Sequence, residues 1–291
     1  MQESLHPRSE VTNEAVPGAY GRLLPFLAHP VLRDRPRRRL TAWTWFGWLS
    51  LLLVLGFLGG RLDDLLVHWF GWRIAPDTFQ AYLVTHPSLA AAAIVLVAPL
   101  LEELAYRAFL STAPPAVFIG LAFFLCYTFL GIRINLEHPR AISTIRHYFA
   151  PFWALVPASL VSLALYVYAR EAVLGFFRRH GIWVFWVSCV LFGVEHAEVY
   201  SSTLTWWALV LVLPQFLVGV GLAYIRIAFG LRWSIATHLA YDGLIVSASW
   251  TYLSTASGTP LREAVGLVLM LLVALILVYG LTVTWRVLRN R

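Results

Sequence analysis

Eight runs of about twenty mostly apolar residues divide this chain, each long enough to cross a bilayer as a helix. The first, Thr41 to Gly60, contains no charged residue. Composition agrees with that pattern. The 291 residues are 59% hydrophobic and only 13% charged, with a mean hydropathy of +0.72. A soluble domain carries about twice that charged fraction. Thirteen Trp and twelve Tyr suit the interfacial belts of a membrane protein. The expected fold class is therefore an all-α integral membrane protein, a bundle of about eight transmembrane helices with one further amphipathic helix in the interface. The net charge of +7 reads as a topology signal rather than a nucleic-acid footprint, and no nucleic-acid partner is expected.

Residues 1–40 are polar, rich in Pro and Arg, and end in the cluster Arg33 to Arg39. They read as a cytoplasmic tail before a polytopic domain over 41–291, and they lack the apolar core of a signal peptide. Basic residues immediately before the first span place the N-terminus in the cytoplasm. Trp43, Trp45 and Trp48 read as that span's interfacial anchor. The segment RLDDLLVHWFGW, Arg61 to Trp72, alternates apolar and polar faces at helical spacing and reads as the interfacial helix, with His68 on its polar face. Further spans are expected over Ser88–Leu110, Ala113–Ile132, Tyr148–Ala169, from Gly181, within Val199–Ile225, from Leu231, and over Ala264–Trp285. Pro99 and Pro214 are expected to kink their spans and open a cavity. Eight spans put both termini inside, together with Arg170, Arg178, Arg179 and Arg226, while Arg133, Arg140 and Arg146 fall outside, against the positive-inside rule. Every basic residue is Arg, a bias that suits a bacterial genome and hence the bacterial inner membrane. Cys126 and Cys189 lie in apolar runs and form no metal or disulfide pattern.

Ionisable side chains concentrate in three of the eight spans: Glu102, Glu103 and Arg107; Glu195, His196 and Glu198; His238 and Asp242. Charged groups at membrane depth are costly and face one another or a water-filled cavity, so the three spans are expected to share one polar site. Glu103 and Arg107 stand four apart and share a helix face, which leaves Glu102 turned about 100° away. A carboxylate with two imidazoles can activate water, either as a general base or by holding a divalent metal. Arg, His and residue 242 can face an oxyanion. That inventory suits amide hydrolysis. The HExxH, GxSG and GxGD signatures of other membrane proteases are absent from the sequence.

EExxxR (Glu102, Glu103, Arg107), FxxxH (Phe192, His196) and HxxxN/D (His238, Asp242), in that order and each in its own span, resemble the three motifs of the CPBP family of intramembrane proteases. That family comprises the CAAX prenyl endopeptidases and the Abi-type, bacteriocin-processing proteins, and the similarity covers roughly residues 88–250. The resemblance implies that Glu102 with His196 activates the attacking water, that His238 and Asp242 form the oxyanion side, and that Glu103 and Arg107 support them. Phe192 would pack beside His196. Asp242 stands where the prenyl proteases usually have Asn. An ionised Asp cannot donate to an oxyanion, so it must be protonated, orient His238 or ligate a metal. Ala108 stands where many relatives have Gly.

If a metal such as zinc is used, Glu102, His196 and His238 are its expected ligands. The division of roles between the two His leans towards a metal-free site. Expected partners are membrane lipids and a lipid-anchored or membrane-tethered peptide or protein substrate. An ion- or proton-coupled transporter, and an inactive scaffold or immunity protein of the same family, are the competing functions. Glu195 and Glu198 read either as interfacial or as tuning the site. His138, His147 and His180 read as solvated loop residues, and Tyr106 as packing. Counted along straight helices, Glu102 and His238 come out near the cytoplasmic face and His196 near the opposite one.

Overall fold

The computed structural model describes residues 23–33, 40–72, 87–137, 151–200, 205–255, 268, 271–276, 278–280 and 282. Most of the expected tail over 1–40, His138, His147 and half of the eighth predicted span fall outside the described residues. Among the described residues every regular element is helical. These are α1 (Leu23–Ala28), α2 (Ala42–Phe70), α3 (Pro87–Ala92), α4 (Ala98–Tyr106), α5 (Pro114–Glu137), α6 (Pro151–Tyr168), α7 (Arg170–Arg179), α8 (Gly181–Glu195), α9 (Trp206–Leu211), α10 (Leu213–Phe229) and α11 (Leu231–Thr255). A π-helical turn, Ala93–Val97, joins α3 to α4, and a 3-10 turn, His196–Val199, follows α8.

Among the described residues one helix, α2, is long and apolar enough to cross a membrane by itself. Residues Ala154–Tyr168 of α6 pass the same test only together with α7, from which they are bent by 94°. The apolar stretches Pro114–Thr128, Gly181–Glu195 and Leu213–Phe229 are shorter.

Helix α10 is the axis of the molecule, packed against α2, α8 and α11. Two apolar clusters meet on it. Trp48, Leu51 and Leu52 of α2 pack with Val218, Leu222, Tyr224 and Ile225. On the other side Phe185 and Cys189 of α8, Phe109, Phe118 and Phe177 pack with Val220, Ala223 and Ile227. Small residues let the axes approach. A Cβ at Gly221 would run into Leu52 Cδ2, and one at Gly59 would stand 2.5 Å from Pro214 Cγ.

Four expectations are corrected here. Arg61–Trp72 is no separate interfacial helix: α2 runs through Gly59 and Gly60 to Phe70. The two glycines look like a break in sequence, but Gly59 seats Pro214 and the helix continues. Asp63 turns inward, and Tyr200 donates its hydroxyl to Asp63 Oδ2 at 3.1 Å. The amphipathic helix at a sharp bend is instead α7, which buries Leu174 and Phe177 and exposes Arg170, Glu171, Arg178 and Arg179. Of the three tryptophans opening α2, only Trp43 is exposed. Trp45 donates Nε1–H to Thr237 Oγ1 at 2.9 Å, and Trp48 is buried against Tyr224. Pro214 breaks the apolar run into two helices rather than bending one: it sits in the first turn of α10, where its missing N–H costs nothing, and α9 ends before it. Pro99 also sits in a first turn, that of α4, and the π-helical turn before it widens the helix around the proline ring.

Candidate active site

Helix α4 ends at Tyr106 inside the protein. The turn that follows is buried at Arg107, Ala108, Phe109, Leu110 and Ser111. The two carboxylates of α4 diverge as helical geometry requires. Glu103 points into the bundle and its side chain is fully buried, while the Glu102 side chain keeps 12% of its surface. Helix α11 starts after Gly230, whose φ of 104° a side chain would oppose, and its His238 and Asp242 lie four apart on one face.

His238 is the hub. Its Nδ1 lies 3.1 Å from Glu103 Oε1, while Nε2 lies 3.6 Å from Glu102 Oε2 and 3.7 Å from Asp242 Oδ2. The Nδ1–H donates to Glu103, and this fixes the ring. The other two separations are those of ion pairs rather than hydrogen bonds. The same Glu103 oxygen lies 3.6 Å from Arg107 Nε. The site therefore has a buried rear of Glu103, Arg107 and His238, and a front of Glu102 and Asp242, whose side chains are 12% and 21% exposed.

Arg107 is wholly buried and lays its guanidinium 3.7 Å from the centroid of the Phe192 ring. Gly219 makes the room: a Cβ there would stand 2.7 Å from Phe192 Cδ1 and 3.2 Å from Arg107 Nη2. Phe192 also lies 4.8 Å from the His196 ring and 5.8 Å from the His238 ring, centroid to centroid. His196 ends α8, where the Phe192 carbonyl accepts from its Nδ1–H at 2.7 Å. A carbonyl cannot donate, so the proton is on Nδ1, and Nε2 carries the lone pair.

The three ionisable groups are thus brought to one place, and the expected difference in depth for His196 is corrected. Glu102 stands beside His238, and the Phe192 ring lies against both imidazoles. Ser188 of α8 donates to the Tyr106 carbonyl and ties α8 to the end of α4. The pairing differs from the expected one: the imidazole beside Glu102 is that of His238, and His196 is joined to it through the Phe192 ring.

The Glu195 carboxylate accepts from the Tyr106 hydroxyl. The Glu198 side chain lies outside the described residues. His180 is half-buried against Phe176 at the α7–α8 junction. Among the described residues no three His, Cys, Asp or Glu side chains are arranged to hold a metal ion. Both imidazoles commit Nδ1, His238 to Glu103 and His196 to the Phe192 carbonyl, so Nε2 is the atom that each has left to offer to water or to a metal.

One residue of this region was assigned elsewhere by the topology rule. Arg226 is not a cytoplasmic surface charge. It is buried in α10 and donates Nε–H to the Arg107 carbonyl at 3.0 Å and Nη2–H to the Ala108 carbonyl at 3.1 Å. The signal that could have found it is its setting, an Arg amid the apolar residues from Leu222 to Phe229. A scan against protein-family models, a search of curated proteins and a search of solved structures each return no match.

Proposed function

We propose that the protein is an intramembrane endopeptidase that hydrolyses a peptide bond of a membrane-associated protein or peptide, as the resemblance of its three motifs to those of the CPBP proteases implies. The observation that carries this reading is the arrangement around His238. One nitrogen is anchored by a buried carboxylate, and the other faces two carboxylates on the more open side. In the proposed reaction Glu102 takes a proton from water as the water oxygen bonds the scissile carbonyl carbon. The C=O electron pair moves onto oxygen, and the oxyanion is met by a proton-bearing Nε2 of His238. The C=O bond then re-forms, the C–N bond breaks, and the leaving nitrogen takes the proton from Glu102. Glu103 and Arg107 hold His238 in register. Asp242 steadies the protonated imidazole, and His196 offers a second lone pair for the water.

The setting belongs to the same proposal. The chain is read as an eight-span bundle in a bacterial inner membrane, with both termini in the cytoplasm. Apolar side chains on outer faces support it, among them Val156, Leu160 and Leu163 of α6 and Trp183 and Val187 of α8, each about half exposed or more. Such faces suit lipid.

The test is proteolysis by the purified protein in liposomes. The probes are a quenched farnesylated peptide ending in a CAAX sequence and a detergent extract of bacterial membrane proteins, with new peptide termini read by mass spectrometry. The wild type is expected to generate new termini, and Glu102→Gln to lose them with its helical content and melting unchanged. A second reading rests on the same imidazole bridging an inner and an outer carboxylate, the geometry of a proton relay. Proton flux without new termini, blocked by Glu102→Gln, would establish that reading instead. Neither activity in the wild type would leave an inactive scaffold.

A further inference from the structure

Helix α10 carries none of the site's carboxylates or imidazoles, yet it touches the site at its weakest point. Helix α4 stops within the protein, so its last carbonyls must find donors away from water. The Tyr106 carbonyl accepts from Ser188 of α8. The amides of Arg107 and Ala108 both donate to the Glu103 carbonyl at 3.0 Å, and Leu110 N–H returns to the Arg107 carbonyl at 3.0 Å. The Ala108 carbonyl and the second lone pair of Arg107 are met by a side chain from a residue more than a hundred positions away. That is the forked guanidinium of Arg226, with one N–H on each carbonyl. It acts as a C-cap supplied in trans.

We propose that Arg226 is a positioning residue of the site, acting through the backbone of the turn it caps. The two carbonyls it holds belong to Arg107 itself and to the residue after it. Holding them sets where the Arg107 side chain leaves the chain. That in turn sets the stack on Phe192 at 3.7 Å and the contact with Glu103 at 3.6 Å. Glu103 carries the setting to His238 Nδ1 at 3.1 Å. The Nε–H and Nη2–H bonds share one edge of the planar guanidinium, so one side chain meets both carbonyls at hydrogen-bonding distance. The proposal rests on the proposed function for its catalytic consequence, but not for its structural one.

The experiment compares wild type, Arg226→Met, Arg226→Lys and Ser162→Ala in lipid nanodiscs by amide hydrogen exchange. Ser162, which donates to the Phe118 carbonyl between α5 and α6, serves as a control for a lost buried bond away from the site. In Arg226→Met, exchange over residues 107–113, with the Leu110 amide as reporter, is expected to rise at least about tenfold, the scale of one lost charge-assisted bond. Exchange over 185–192 of α8 and 218–224 of α10 stays as in wild type. Arg226→Lys, able to reach one carbonyl, falls between. Ser162→Ala leaves 107–113 protected. A uniform rise along α10 and α8, or an unchanged turn, overturns the proposal. With the quenched farnesylated peptide, Arg226→Met is expected to lower kcat about tenfold with KM unchanged, and Arg226→Lys to restore part of it. A loss in KM alone overturns the positioning role. If the wild type cleaves neither the peptide nor the membrane extract, the protease reading falls, while the exchange result still decides whether Arg226 holds the turn.

Discussion

At the scale of single residues the site is built on charges that cannot be removed one at a time. Glu103 and Arg107 are fully buried and face each other at 3.6 Å, with His238 on the same Glu103 oxygen. Breaking a buried pair by removing one partner costs about 3–5 kcal/mol, because the charge left behind has no compensation. Arg107→Met is therefore expected to lower unfolding stability in detergent by that order, measured by thermal or denaturant melts. The double variant Glu103→Gln/Arg107→Met recovers a large part of it. Activity follows a different order: neither variant regains proteolysis, since the anchor on His238 Nδ1 is weakened in both. The i, i+4 pair and the turning away of Glu102 are both legible in the sequence, as consequences of helix periodicity alone. That Glu103 rather than Glu102 holds His238 Nδ1 is not, because it depends on which face α11 presents across the gap.

At the scale of elements, three helices deliver the chemistry and a fourth aligns them. Helix α10 lies against α2, α8 and α11, and its glycines set the spacing. A Cβ at Gly221 would run into Leu52, so Gly221→Val wedges α2 from α10. Overpacking of this kind costs about 1–3 kcal/mol. The expected outcome is a lower melting temperature, with the Trp45 to Thr237 contact between α2 and α11 loosened. Tryptophan emission checks this, shifting red as the indole loses its partner. Leu52→Ala in the same chain is expected to restore part of the stability, which ties the loss to that one contact. Element boundaries were only partly readable. The start of α11 at Leu231 follows from Gly230, and α5 and α6 lie close to their apolar runs. The full length of α2 is not legible in the sequence, because a Gly-Gly pair is a break only where nothing packs against it.

At the scale of the whole molecule the expected arrangement is one membrane body with both ends on the same side. A fluorescent protein fused to the C-terminus is expected to glow, and alkaline phosphatase fused there to stay inactive. The reverse is expected for fusions within 138–147, the connector placed on the far side. A single discordant fusion would change the number of spans. The bend of 94° between α6 and α7 puts Arg170, Arg178 and Arg179 at one level beside an apolar helix, the pattern of a helix lying along a headgroup layer.

Local sequence carries whatever repeats along one stretch of chain: the all-helical class, the runs that become helices, the pairs at four-residue spacing, and the segregation of ionisable groups into three runs. Each of these follows from local periodicity and from the cost of charge among apolar side chains. The tertiary structure alone decided depth and partnership. Where α4 stops, which imidazole meets which carboxylate, why His196 lies beside rather than opposite the site, and what caps the buried turn are all set by contacts between residues far apart in the chain. Arg226 shows the reason most simply. Read locally it is one more basic residue at the end of an apolar run, and only the fold brings two carbonyls of the buried turn within 3.1 Å of its guanidinium.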